Sequence, residues 1–135
     1  MPFYLKVYAL SLVAFLAIDS VWLGFIARSF YRERLGHLLA DDPNWWAAIV
    51  FYALFVAGVV VFCTAPALSA GSVEKAIYLG AFFGLVTYAT YDLTNHATVK
   101  NWPAIVTVVD LVWGAILSAT VSCAGYYAGK WLQTP

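Results

Sequence analysis

The chain has 135 residues, of which 64% are hydrophobic and only 10% are charged. A water-soluble domain of this length has too much surface for its volume to hide so many apolar side chains. The formal net charge is zero, which excludes the basic surface typical of nucleic-acid-binding proteins. The composition therefore predicts an integral membrane protein without a nucleic-acid partner, and the length suits one domain covering residues 1–135.

Four apolar stretches follow one another along the chain, each long enough to cross a hydrocarbon core of about 30 Å. Because lipid offers no partners to backbone polar groups, these stretches should be helices. The sequence thus predicts an all-α fold, an integral membrane four-helix bundle that forms a single transmembrane domain. The predicted spans cover residues 4–27, 43–65, 73–95 and 103–128.

The longest connection, from Ser29 to Asp42, joins the first two spans. Its apolar residues alternate with charged ones, a pattern typical of a short amphipathic helix lying in the membrane interface. An ordinary polar loop is the alternative. Both Asp42 before Pro43 and Asn101 shortly before Pro103 resemble a capping side chain followed by proline, so the second and fourth spans are expected to begin at these prolines.

Three aspartates, Asp19, Asp92 and Asp110, lie within the predicted spans. At 1.5 Å per residue they lie roughly 13, 12 and 10 Å from the same membrane face, so three helices bring carboxyl groups to a common depth. Ionised carboxylates are unfavourable in lipid and like charges repel. We therefore expect these acids to hold protons, to hydrogen-bond as neutral acids or to bind a cation.

Neighbours at helical spacing extend this layer of acids into a predicted polar pocket with aromatic walls. The candidates for catalysis are the acids themselves, Asp19, Asp92 and Asp110. The alternative is structural, since an aspartate can cap a broken helix or bond across the bundle. No spacing matches an established metal-ligand motif, so neither a metal nor a cofactor is predicted. The expected ligand-binding residues are Trp22, Tyr88, Tyr91, Asn95, His96, Thr107 and Trp113.

Three short phrases contain these acids: Thr90-Tyr91-Asp92-Leu93-Thr94-Asn95, Asp19-x-x-Trp22-Leu23-Gly24 and Asp110-x-x-Trp113-Gly114. Together they resemble a family of small bacterial membrane proteins known as domain of unknown function 2177, and the resemblance covers nearly the whole chain. It implies a four-helix, multi-pass protein of the bacterial inner membrane and supplies no reaction.

Three functions are consistent with these features. The first is proton- or cation-linked binding or transport of a small solute by a homodimer. The chain looks like the small multidrug transporters in length and helix number, although it has three aspartates where they use one glutamate. The second is a membrane-embedded enzyme acting on a lipid or isoprenoid by carboxylate acid/base chemistry, and the third is an accessory subunit of a membrane complex. The expected partners are the lipid bilayer, a lipidic or small-solute ligand and a second copy of the chain.

Overall fold

The computed structural model describes residues 2–135, and all regular elements in this range are helices. They are α1 (Pro2–Val21), α2 (Arg28–Leu35), α3 (Trp45–Val59), α4 (Ala65–Ala70), α5 (Val73–Thr98) and α6 (Ala104–Gln133). One π-helical turn, Trp22–Ile26, extends α1, and another, Val60–Thr64, joins α3 to α4. The prediction of an all-α protein is confirmed.

Three continuous helical stretches are long and apolar enough to cross a membrane: Pro2–Ile26, Trp45–Ala70 and Ala104–Gln133. The remaining long helix, α5, has 26 residues, but polar side chains crowd its second half and lower its apolar character. The prediction of a helical protein with membrane-spanning segments is therefore confirmed, with three helical stretches suited to cross a membrane.

Two predicted helix caps are wrong, although both helices begin within two residues of the expected positions. The helix α3 begins at Trp45 rather than Pro43, because the side-chain oxygen of Asn44 accepts a hydrogen bond from the Ala47 N–H at 3.2 Å and caps the helix. Asn101 does not cap α6, which begins at Ala104. Asn101 has a φ of 62°, the left-handed conformation that asparagine adopts in turns, and it reverses the chain between α5 and α6.

Pro66 accounts for the change of helical geometry within the second apolar stretch. The stretch nevertheless remains helical past residue 65. A proline inside a helix has no N–H to donate and its ring crowds the preceding turn. The π turn Val60–Thr64 stands just before it, and the chain then resumes an α-helix as far as Ala70. At the end of α1, the other π turn is closed by the Ala27 N–H, which donates to the Trp22 carbonyl at 2.7 Å.

Small residues set the distance between α5 and α6, the central helix of the bundle. A Cβ atom added to Gly84 would collide with the backbone carbonyl of Gly114, and one added to Gly80 would lie 2.8 Å from the Cα of Ala119. Close backbone approach of this kind is typical of helices packed in lipid. These small residues therefore form the interface of α5 and α6 and fix the register that brings Asp92 next to Asp110.

The outer surface of the long helices is apolar, while several polar side chains lie inside. Phe25, Leu54, Phe62 and Phe82 are all more than half exposed. Asp92, together with Ser11, Ser118 and Ser122, is fully buried. This distribution suits a protein surrounded by lipid, because water would disfavour such an outer surface.

Candidate functional site

A cavity of about 760 Å³ lies among α1, α2, α3, α5 and α6. Most of its lining is apolar or aromatic, and it includes two carboxyl groups, Asp19 from α1 and Asp110 from α6. Both are nearly buried, with exposed fractions of 8% and 7%. The volume and the small number of polar groups are typical of a site for a small molecule.

One face of α2 closes the cavity on one side. Arg28, Tyr31, Arg32 and Leu35 stand at positions i, i+3, i+4 and i+7 of this helix, and all four line the cavity. Residues at this spacing share a helix face. Leu35 is buried, whereas the two arginines are exposed. The cavity therefore has a cationic, exposed side and an acidic, buried side.

A chain of hydrogen bonds holds α2 against α1 and α6. The Trp22 indole N–H donates to the Tyr31 hydroxyl at 3.2 Å, and that hydroxyl donates to Oδ1 of Asp110. Burial, followed by the bond to Asp110, raises the pKa of Tyr31 above its ordinary value. The hydroxyl therefore keeps its proton at neutral pH and remains the donor to Asp110.

Two tryptophans stack beside the acids. The rings of Trp22 and Trp113 lie 4.2 Å apart with an angle of 8° between their planes. Each follows an aspartate by three residues, Asp19 in one case and Asp110 in the other. The buried indole N–H of Trp113 lies near the Asp19 carboxyl and has no hydrogen-bond partner among residues 2–135. The repeated Asp-x-x-Trp spacing thus produces one stacked pair between α1 and α6.

Asp92 lies behind the cavity wall rather than in it. Its side chain is fully buried, and neither carboxyl oxygen has a hydrogen-bond partner within the described part of the chain. Its carboxyl lies next to that of Asp110. The phenol of Tyr88 lies within the range of electrostatic interaction with the carboxyl groups of Asp19, Asp92 and Asp110. The three acids therefore converge around one tyrosine, and two of them reach the cavity.

Of the predicted ligand-binding residues, the aromatic ones lie in the cavity. Trp22, Tyr88, Tyr91 and Trp113 all contribute to its lining. They stand on the parts of α1, α5 and α6 that surround Asp19 and Asp110, so their helical spacing from the acids predicts their position.

The other three predicted ligand-binding residues do not line the cavity. The hydroxyl of Thr107 accepts a hydrogen bond from the Trp102 indole at 3.0 Å and lies 3.3 Å from Nδ1 of His96. Asn95 lies beside Tyr91, one turn further along α5. These residues stand near the α5–α6 turn, where the Trp102 indole is bonded to Thr107.

The sequence prediction missed the residues contributed by α2 and α3. Arg28, Tyr31 and Arg32 line the cavity from α2, and Phe51 and Tyr52 line it from α3. The spacing of Arg28, Tyr31 and Arg32 was a usable signal, because it marks one face of the expected amphipathic helix. Nothing in the spacing indicated that this face would turn toward the acids.

The family described as "Predicted membrane protein (DUF2177)" matches residues 4–127 of the chain. No curated protein and no solved structure matches the chain. The matched range contains Asp19, Asp92, Asp110 and both stacked tryptophans. The resemblance inferred from the three phrases around the aspartates is therefore confirmed, and the chain belongs to this family of predicted membrane proteins.

Proposed function

We propose that this protein binds an amphiphilic, lipid-like molecule in the cavity closed by α2. The observation that carries the proposal is the make-up of that one cavity, with apolar and aromatic walls, two carboxyl groups at its buried side and two arginines at its exposed side. A site for a small polar solute needs many polar groups to replace the hydrogen bonds that the solute makes with water. Walls of this kind suit a hydrocarbon chain that carries a polar end.

The rim of the cavity supports entry from lipid. Leu23, Phe51 and Tyr91 line the cavity and are also 44%, 46% and 59% exposed. In a bilayer, exposed apolar side chains of membrane-spanning helices face the acyl chains. A lipid-like molecule could therefore enter sideways without crossing a polar surface.

In this proposal α5 is a fourth membrane span. Its 26 residues extend about 39 Å, more than the roughly 30 Å of a hydrocarbon core. Its low apolar character comes partly from Asp92, which is buried inside the bundle, while Ile77, Phe82 and Leu93 are exposed on its outer side. Four crossings of the bacterial inner membrane place both termini on one side and α2 in the opposite interface.

The acids support a second candidate, a proton-linked reaction or transport of the bound molecule. Asp92 and Asp110 are buried and adjacent, and two such carboxyls repel each other when both are ionised. The pair therefore suits the holding of a shared proton, which acid/base chemistry or proton-coupled transport would use. Acid-driven flux in liposomes that survives Asp92→Asn would exclude a role for the Asp92–Asp110 pair in proton-linked transport.

A cavity-filling substitution tests the main proposal. Ala48 lines the cavity, whereas its neighbour Ala47 is exposed and does not. In native mass spectrometry of protein extracted in mild detergent, the wild type and Ala47→Trp should retain lipid. Ala48→Trp should lose it, because the indole occupies the space that the ligand needs. Equal lipid retention by both variants would refute binding in this cavity.

A further inference from the structure

We infer that the molecule in the cavity carries an anionic headgroup, such as the phosphate of an acidic phospholipid, held by Arg28 and Arg32. The inference rests on the proposed function and adds the charge class of the ligand. It depends on which charged residues of α2 line the cavity, and on where they stand relative to the acids.

Of the four charged residues of α2, only two lie on the face that lines the cavity. Arg28 and Arg32 stand one helical turn apart on that face, while Glu33 and Arg34 stand outside the cavity lining. Side chains at i and i+4 lie about 6 Å apart at their Cβ atoms, close enough to grip one phosphate group. Guanidinium groups match phosphate oxygens with paired hydrogen bonds, which makes arginine a preferred ligand for phosphate.

The acids at the buried side orient the ligand. Asp110 is already engaged by the Tyr31 hydroxyl, so this acid does not need an arginine as its partner. An anionic headgroup near Asp19 and Asp110 would be repelled if either were ionised, whereas the exposed arginines attract it. The headgroup therefore belongs at the arginines, near the membrane interface, with the hydrocarbon along the apolar walls.

The charge of Arg34 provides a matched control. Arg34 is an exposed residue of the same helix, so its charge contributes equally to any general attraction between α2 and an anionic membrane surface. It does not line the cavity. A difference between the cavity arginines and Arg34 therefore reports on the site rather than on surface charge.

The test measures the affinities of phosphatidylglycerol and phosphatidylcholine with identical acyl chains by native mass spectrometry. The wild type should prefer phosphatidylglycerol. The double variant Arg28→Gln/Arg32→Gln should bind it more weakly, by about fivefold for each arginine. It should lose less affinity for phosphatidylcholine, because the choline of that lipid offsets the charge of its phosphate. Arg34→Gln should behave as the wild type, and Arg28→Lys/Arg32→Lys should retain part of the preference because it keeps the charge without the planar fork.

Each other result has a distinct meaning. Equal wild-type affinity for the two lipids would overturn the anionic headgroup and leave the proposed function standing. A loss in Arg34→Gln as large as in the double variant would also overturn it, by showing general surface attraction. Displacement of the lipid by millimolar inorganic phosphate would contradict a lipid source for the phosphate. Absence of bound lipid in the wild type would overturn both the inference and the proposed function.

Discussion

Asp110 is the residue at which the contacts of the site meet. It lines the cavity, accepts a hydrogen bond from Tyr31 and lies next to the buried Asp92. These contacts come from α2 and α5 and act on a single carboxyl of α6. The Asp110 side chain therefore links the position of α2 to the protonation of the two adjacent acids.

Tyr31→Phe should weaken this coupling without changing the shape of the cavity. The substitution leaves Asp110 without its donor, and an unsatisfied buried acceptor costs about 1–3 kcal/mol of stability. We expect a loss of this size in the free energy of unfolding measured in detergent micelles. Tyr127 is exposed, so Tyr127→Phe should leave stability unchanged and serves as the control. Equal stabilities of the two variants would show that the Tyr31 bond contributes nothing.

Asp19, Asp110 and the aromatic lining could be predicted from the sequence, because a carboxyl group is unfavourable in lipid and the aromatic residues stand at helical spacing from the acids. Tyr31 could not, since its role depends on how the chain folds back after α1. His96 and Thr107 lie outside the lining of the cavity. Helical spacing puts them near the acids, but it carries no information about Trp102, which lies between α5 and α6 and donates a hydrogen bond to Thr107.

At the scale of elements, the interface of α5 and α6 determines the arrangement of the acids. The two backbones approach closely at Gly84 and Gly114, and this contact fixes which residues of the two helices face each other further along. The existence of these helices could be predicted from their apolar stretches, and the four-residue spacing of Gly80 and Gly84 marks a face for close packing. The π turn at Trp22–Ile26 and the docking of α2 could not be predicted, because they depend on tertiary contacts.

Gly84→Ala should separate α5 from α6. The added methyl group collides with backbone atoms, which cannot move away as a flexible side chain would, so the loss of stability should reach about 3 kcal/mol. Gly24→Ala is the matched control, because a Cβ there meets nothing within 4 Å and should change stability by less than about 0.5 kcal/mol. Thermal unfolding of both variants in the same detergent measures the difference. A Gly84→Ala protein as stable as Gly24→Ala would contradict the close approach.

At the scale of the whole molecule, the proposal of four crossings fixes which surfaces share a side of the membrane. Ser29 and Thr134 are both exposed, and a single cysteine can replace either one. If α5 crosses the bilayer, an impermeant thiol reagent added outside cells should label only one of the two. If α5 does not cross, both positions fall on the same side and the reagent labels both or neither. The native thiols are half-buried or buried, and the unsubstituted protein provides the background.

The cavity is also a property of the whole molecule, since its lining comes from five helices. A photoreactive phospholipid, with its reactive group in the acyl chain, tests the binding of a lipid-like molecule there most directly. Mass spectrometry of the irradiated protein in nanodiscs should find cross-links concentrated at cavity residues such as Leu23 and Phe51, and Ala48→Trp should remove them. Cross-links spread evenly over Phe25, Phe62 and the other exposed apolar residues, and unchanged by Ala48→Trp, would contradict lipid binding in the cavity.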